Sequence, residues 1–456
     1  MERSDLSSCV KSVLADCSGN GYIVDSQNVL PDITTYLTPT FDNDALLFSL
    51  PVLFLRRPDQ EFSLDPGGSD GAVHAIIEQI KQDAKLVPDL GPLYGAGTQF
   101  PGRYDSNIEP YTVIHSDDAI GTHLWHADDR NFADEKGIHL LVRGALPFPS
   151  LGPITCGRDI LRPIHDLLDS LHSVVDAVPG RVLESGWERS LDQKLLRELL
   201  PSLGLVAFAG DGSRPARECT RHRSFFRVAG MKDGVNVPFS CPAGLSVQEL
   251  ELPVTNEAVT GLGIRKREVF AVAGSNAQGK STFLEAVIAG VDDHADGDGR
   301  ERVVTVRGLE TAEAGNCRLA GADISMFFSS LPPGMTGTVR SAYGMGSGSM
   351  TMASQIQMAF LHKAPLLIID EDRAAPNLLV HSCLQSGEVT PLTELLAKDR
   401  SKLGETTLLF AACAMDTLVA QADRIMVLNR HAAGAIDRDR FKSLLKESLK
   451  KTIEQV

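Results

Sequence analysis

The sequence predicts an α/β protein, an open-sheet domain preceded by a domain of mixed α+β structure. Three observations carry this. From Gly204 to about Asp439, short apolar runs alternate with helix-like segments, the pattern of an α/β sheet. One run, 269–273, leads through Gly274-Ser275-Asn276-Ala277-Gln278-Gly279-Lys280-Ser281-Thr282 into a helical stretch at 283–289. Before Gly204 the text is less regular, with strand-like runs first and helix-like spacing later.

In chain order, the N-terminal domain, 1–203, opens with two apolar runs, 45–48 and 52–55. They are separated by Ser49-Leu50-Pro51 and read as two buried strands. Residues 91–134 are rich in Gly, Asp, His and aromatics and read as strand and loop. Helical spacing returns at 158–175 and 190–203, with Leu161, Ile164, Leu167, Leu168 and Leu171 forming one apolar stripe. The sheet domain is expected over 204–440. Beyond it, Leu444, Leu445, Leu449 and Ile453 among lysines predict an amphipathic helix at 441–456.

Composition bounds the function. At 456 residues the chain is long enough for two or three domains of roughly 100–200 residues. Its 43% hydrophobic and 23% charged residues suit a globular protein with a sizeable core. No apolar run reaches the roughly 18 residues a bilayer span needs. Glu2, Arg3 and Asp5 argue against a signal or transit peptide, so a soluble intracellular protein, cytoplasmic or mitochondrial, is expected. Eight cysteines without a CxxC pair fit free thiols. A net charge of −15 argues against a whole-surface nucleic-acid binder, so a polyanion would need a local basic patch.

The string from Gly274 to Thr282 is a G-x-x-x-x-G-K-S phosphate loop in its required strand–loop–helix setting. Glycines let backbone N–H groups wrap a β-phosphate, and the helix N-terminus adds its positive end. Lys280 would reach the β- and γ-phosphates of ATP, and the Ser281 hydroxyl would hold Mg²⁺. Downstream, Leu366-Leu367-Ile368-Ile369 reads as a buried strand ending in Asp370-Glu371. Asp370 would bind Mg²⁺, and Glu371 would activate water as general base.

Between them the sequence resembles the ATP-binding-cassette ATPases, which carry a Ser-Gly-Gly-Gln-type signature at a helix start. Ser347, followed by Gly348-Ser349-Met350, stands 23 positions before Asp370, that superfamily's usual spacing. More narrowly, the sequence resembles the family of predicted ABC-class ATPases that lack transmembrane partners. The matching strings are Gly204-Leu-Val-Ala-Phe with Asp211-Gly-Ser, Gly261-Leu-Gly-Ile, Gly297-Asp-Gly-Arg300, Ala322-Asp-Ile-Ser325 and Ile369-Asp-Glu-Asp372. The resemblance covers most of 90–440, tightly in the C-terminal half and loosely before it. It implies an ABC-type P-loop ATPase domain and a homodimer that closes around ATP. One branch of that family is linked to RNA binding in mitochondrial RNA processing and editing.

Several positions depart from the pattern. Arg373-Ala-Ala-Pro-Asn377 replaces the family's more usual Thr-Ser-Ala-Thr-Asn, with Asn377 keeping the dimer-communicating position. The place of the usual switch histidine, ahead of Asp423, holds Cys413. The usual glutamine after the phosphate-loop helix is replaced by the neighbourhood of Asp323 and Ser325. Slow turnover is expected.

Arg214, Arg217, Arg221, His222, Arg223 and Arg227, interleaved with Phe225 and Phe226, form the densest basic cluster. Arginines with stackable rings suit single-stranded RNA, while a solvated loop or arginines on the nucleotide phosphates are the alternatives. His123-Leu-Trp-His126 has metal-ligand spacing but reads as structural. Cys219, Cys241 and Cys413 read as buried thiols and Phe239 as core. The leading function is an ABC-class ATPase coupling nucleotide state to a partner. A nucleotide-gated RNA scaffold with little hydrolysis is the alternative. A transporter subunit is weakened by the short helical insert expected between Ser325 and Ser347.

Overall fold

The structure, a computed structural model, describes residues 19, 21–24, 36–39, 45–58, 65–84, 86–98, 125, 127–147, 158–219, 226–228, 236–384 and 387–455. Contacts divide the chain into two units, Met1–Asp192 with Arg217–Val228, and Gln193–Ala216 with Ala229–Val456.

The first unit is built on an antiparallel sheet whose centre is Ala45–Phe54 paired along its length with Gly137–Pro147. The two strands expected at 45–48 and 52–55 are therefore one. Pro51 explains how this is possible. Tyr36–Pro39 pairs with residues 46–49 and Tyr22–Val24 with residues 52–54, so Pro51 falls in the gap between two short partners. The Leu55 N–H donates to Gly21 O on that same side, so by strand alternation the nitrogen of Pro51 also points there. Its missing N–H breaks no ladder bond.

Helix Ser69–Asp83 buries Ala72, Val73, Ile76, Ile77 and Ile80 on one face. Helix Gly180–Leu199 passes it so closely that a Cβ on Gly71 would lie 1.8 Å from Gly186 O, so only glycine fits the crossing. Helix Arg158–Ala177 buries Ile164, Leu167, Leu168 and Leu171, while Leu161 is half-buried.

The second unit centres on a six-stranded sheet in the order Glu310–Thr311, Leu366–Asp370, Thr407–Ala412, Val269–Ala273, Arg424–Asn429, Ala432–Ile436. All neighbours are parallel except the last pair. Successive side chains of a strand point to opposite faces, and both faces here are covered. Val269, Ala271, Leu367, Ile369, Leu408 and Phe410 enter one core with helix Gly348–Leu361. Phe270, Val272, Leu366, Ile368, Leu409 and Ala411 enter another with Phe283, Leu284 and Val287 of helix Lys280–Ala289. That second core is closed by the antiparallel sheet Val303–Thr305, Leu205–Gly210, Ala258–Arg265, Gln248–Glu251. Burial on both faces is why these strands read as unbroken apolar runs.

The helical insert expected between Ser325 and Ser347 is absent. That stretch holds strands Thr336–Thr338 and Ser341–Gly346, which join Cys317–Ala322 in a small antiparallel sheet. Gly337 and Gly344, with φ of 95° and 128°, take conformations that favour this extended hairpin over a helix. The last helix is Arg438–Gln455, with Leu444, Leu449 and Ile453 exposed and Phe441 packed on the core.

Candidate nucleotide site

Strand Val269–Ala273 lies between two parallel partners, which fixes the loop that follows it. Gly274 has φ 145°, and a Cβ there would sit 2.5 Å from Leu428 O, so only glycine can start the loop. Ala277 and Gly279, at φ 60° and 96°, also take left-handed conformations and turn the backbone inward. Gly279 caps helix Lys280–Ala289 with no side-chain acceptor, leaving the first-turn N–H groups to an anion. Lys280 is 5% exposed, and its Nζ donates to Ser275 O at 2.9 Å, arching over the loop. Ser281 and Thr282, the next two residues, are half-buried. Asn276 O accepts from Gln278 Nε2, and Gln278 Oε1 accepts from the Arg430 N–H.

Leu366–Asp370 is separated from Val269–Ala273 by one strand and runs parallel to it. Asp370 and the phosphate loop therefore share the carboxyl edge of the sheet, where ligands bind in such folds. Asp370 Oδ1 accepts from Asp372 N at 3.3 Å, and Glu371 opens the turn Glu371–Arg373. The Glu371 carboxylate accepts from the N–H groups of Cys413 and Ala414, which follow strand Thr407–Ala412. Arg373 pairs with Glu313 at 3.0 Å, and that bond raises its pKa.

Ser347 is the N-cap of helix Gly348–Leu361, yet its hydroxyl caps none of that helix's N–H groups. Ser349 Oγ donates to Asn377 Oδ1 at 2.7 Å, and Met350 is buried beside them in the chain. Burial pushes the Asp323 carboxyl up, but bonds from Ser325 and Gln357 and the Arg340 charge outweigh it, and the net pKa is lowered.

The arginines are distributed differently. Arg214 belongs to the second unit and donates to Asn236 O at 2.7 Å. Arg217 and Arg227 belong to the first, on the paired strands Arg217–Cys219 and Phe226–Val228, opposite Val228 and Glu218 respectively. Arg221, His222, Arg223 and Phe225 lie outside the described residues, as do His123 and His126. Phe239 is buried with its ring 5.6 Å from that of Phe283, a core contact. Cys241 is buried, whereas Cys413 is exposed, contrary to its reading as a buried thiol, because it follows the strand at the open edge.

Two contacts had no side-chain signal in the sequence. One is the main-chain grip on Glu371. The other is the two-residue turn Arg430-His431, with φ of 48° and 63°, which abuts Gln278 and Gly279. Its only advance sign is the short polar gap Asn429-Arg430-His431 between apolar runs, short enough for a tight hairpin turn.

A family model named ABC_ATPase, described as a P-loop domain, matches residues 179–455. The chain belongs to the ABC ATPase family. This ABC ATPase is also 38% identical over 398 residues to an uncharacterized protein of Methanocaldococcus jannaschii, covering 87% of this chain and 86% of that one. Similar solved structures include a nucleotide-free ATP-binding cassette from an ABC transporter, at 13% identity and TM-score 0.31, covering 53% of this chain and 95% of that one. Another is CbiO1 from Clostridium perfringens, part of the ABC transporter complex CbiONQ, with the same identity and TM-score, covering 54% and 94%. Among the described residues of this ABC ATPase, no helix is long and apolar enough to cross a membrane.

Proposed function

We propose that this chain binds Mg-ATP on Gly274, Ser275, Asn276, Ala277, Gln278, Gly279, Lys280, Ser281 and Thr282 and hydrolyses it slowly. The observation that carries this is the shared sheet edge, with buried Lys280 arched over the loop and Asp370-Glu371 one strand away. The phosphate oxygens of ATP would replace Ser275 O as the acceptor of the Lys280 ammonium. Ser281 and Asp370 would hold Mg²⁺, which supplies neutralising charge to those oxygens. Glu371 would take the proton of the attacking water. Ser347, Gly348 and Ser349 begin a helix whose uncapped N–H groups suit a γ-phosphate, and a second copy of the chain would supply them. The homodimer is part of the proposal, as is single-stranded RNA bound through Arg214, Arg217, Arg221, Arg223 and Arg227.

Glu371→Gln keeps the side chain's shape and removes the base. ATP binding should persist while turnover falls about 10²–10⁴-fold. The ATP-loaded variant should scatter light as a dimer, and a monomer with ATP bound would overturn the two-copy site.

A second reading, an ATP-gated RNA scaffold with little hydrolysis, is favoured by Cys413 at the place of the switch histidine. RNA affinity that depends on ATP, in a protein without measurable turnover, would select it.

A further inference from the structure

We infer that the peptide N–H groups of Cys413 and Ala414 position Glu371, so that the main chain aims the general base at this site. The inference rests on Glu371 being the base. Leu366–Asp370 and Thr407–Ala412 are parallel neighbours with Asp370 opposite Ala411. The residues that leave the sheet after Ala412 therefore emerge beside Glu371. There the Cys413 N–H makes a close hydrogen bond to Glu371 Oε2, and the Ala414 N–H reaches Oε1 at 3.3 Å and Oε2 at 3.4 Å. A peptide N–H can only donate, and the carboxylate oxygens accept, so the pair holds Glu371 in one orientation.

The grip is uneven in a useful way. Oε2 accepts from both N–H groups and Oε1 from one, which leaves Oε1 the oxygen with more acceptor capacity for a proton from water. The Cys413 thiol is exposed and takes no part in these bonds. A side chain at 413 is thus not required for the orientation.

Cys413→Pro removes the principal donor, and the extended residue Ala412 before it is compatible with a following proline. In the full chain, kcat for ATP should fall about 10²-fold through misplacement of the base, with the Kd for ATP unchanged. In a Glu371→Gln background the proline should add no further loss. Loss of turnover in Glu371→Gln with wild-type turnover in Cys413→Pro would overturn this inference alone. Wild-type turnover in Glu371→Gln would overturn the base assignment first. Should the proline variant fail to fold, hydrogen exchange decides. The peptide spanning 412–415 should lose protection in Glu371→Ala relative to wild type, and unchanged protection would overturn the inference.

Discussion

Lys280 is a cation in a nearly closed setting, 5% exposed and bonded to the carbonyl of Ser275. A neutral carbonyl is a weaker partner for an ammonium than a phosphate oxygen, so ATP would exchange a bond to a neutral acceptor for an ion pair. Lys280→Ala should weaken ATP binding about 10–100-fold by calorimetry. Wild-type affinity in that variant would remove the phosphate-loop assignment. Cys241 offers a test at the same scale without nucleotide. Burial pushes its thiol up to about 11, with the Asp211 carboxylate adding and the Arg424 charge opposing. Because the folded thiol keeps its proton above its ordinary range, only about one molecule in a thousand is thiolate at pH 8. Iodoacetamide at pH 8 should therefore label exposed Cys317, Cys383 and Cys413 and spare Cys241 until the protein unfolds, as mapped by peptide mass. Equal labelling of Cys241 in the native protein would contradict its protected setting. Lys280, Asp370 and Glu371 were legible in the sequence because the chemistry of their side chains is the signal. The donors to Glu371 were not, since they stand 42 and 43 positions away and belong to the main chain, which no residue letter encodes.

At the scale of elements, the phosphate-loop helix is held at its far end. Arg197, from helix Gly180–Leu199, donates to Asp292 O at 2.9 Å and Gly290 O at 3.3 Å and pairs with Asp293 at 2.9 Å. Those carbonyls lie at the C-terminal end of helix Lys280–Ala289, the negative end of its dipole, so a cation is well placed there. Gln193 adds bonds in both directions with His294, at 2.9 Å and 2.7 Å. Arg197→Leu fills the space but takes the donor from Asp292 O and leaves much of the Asp293 charge uncompensated, while Gly290 O keeps the Thr305 N–H. Chemical denaturation should show a loss of about 3 kcal/mol. A loss within experimental error would mean that Lys194, 3.4 Å from Asp293, suffices. Helix Arg158–Ala177 and the central strands were readable because an apolar stripe or a doubly buried run survives any detail of packing, whereas helix Ser69–Asp83 was not read and helix Gly180–Leu199 was read at 190–203. The hairpin after Ser325 was not. Its period-two pattern, with Ala342 and Gly346 buried and Tyr343 and Met345 exposed, is carried by small residues and glycines that give little apolar contrast. Pro51 misled in the opposite direction, because whether a proline ends a strand depends on partners distant in sequence.

For the whole molecule, charge is the term that decides whether RNA can be a partner. A chain of net charge −15 repels a polyanion at long range, so binding must come from a local set of cations that outweighs that field. The arginine-rich segment is the densest such set in the sequence, and its phenylalanines could stack on bases. Arg214 has an internal partner in Asn236 O, so it is not committed to RNA by its position alone. Replacing Arg221, Arg223 and Arg227 together by Ala removes three charges and no residue of the phosphate loop. Single-stranded RNA affinity should fall, and the slope of log affinity against log salt should shrink by about 0.7 per lost contact, or about 2 in all. ATP binding should survive, because Lys280 and the loop amides remain. Lost ATP binding with unchanged RNA affinity would instead place these arginines on the nucleotide. Wild-type protein without salt-sensitive RNA binding would remove RNA as a partner.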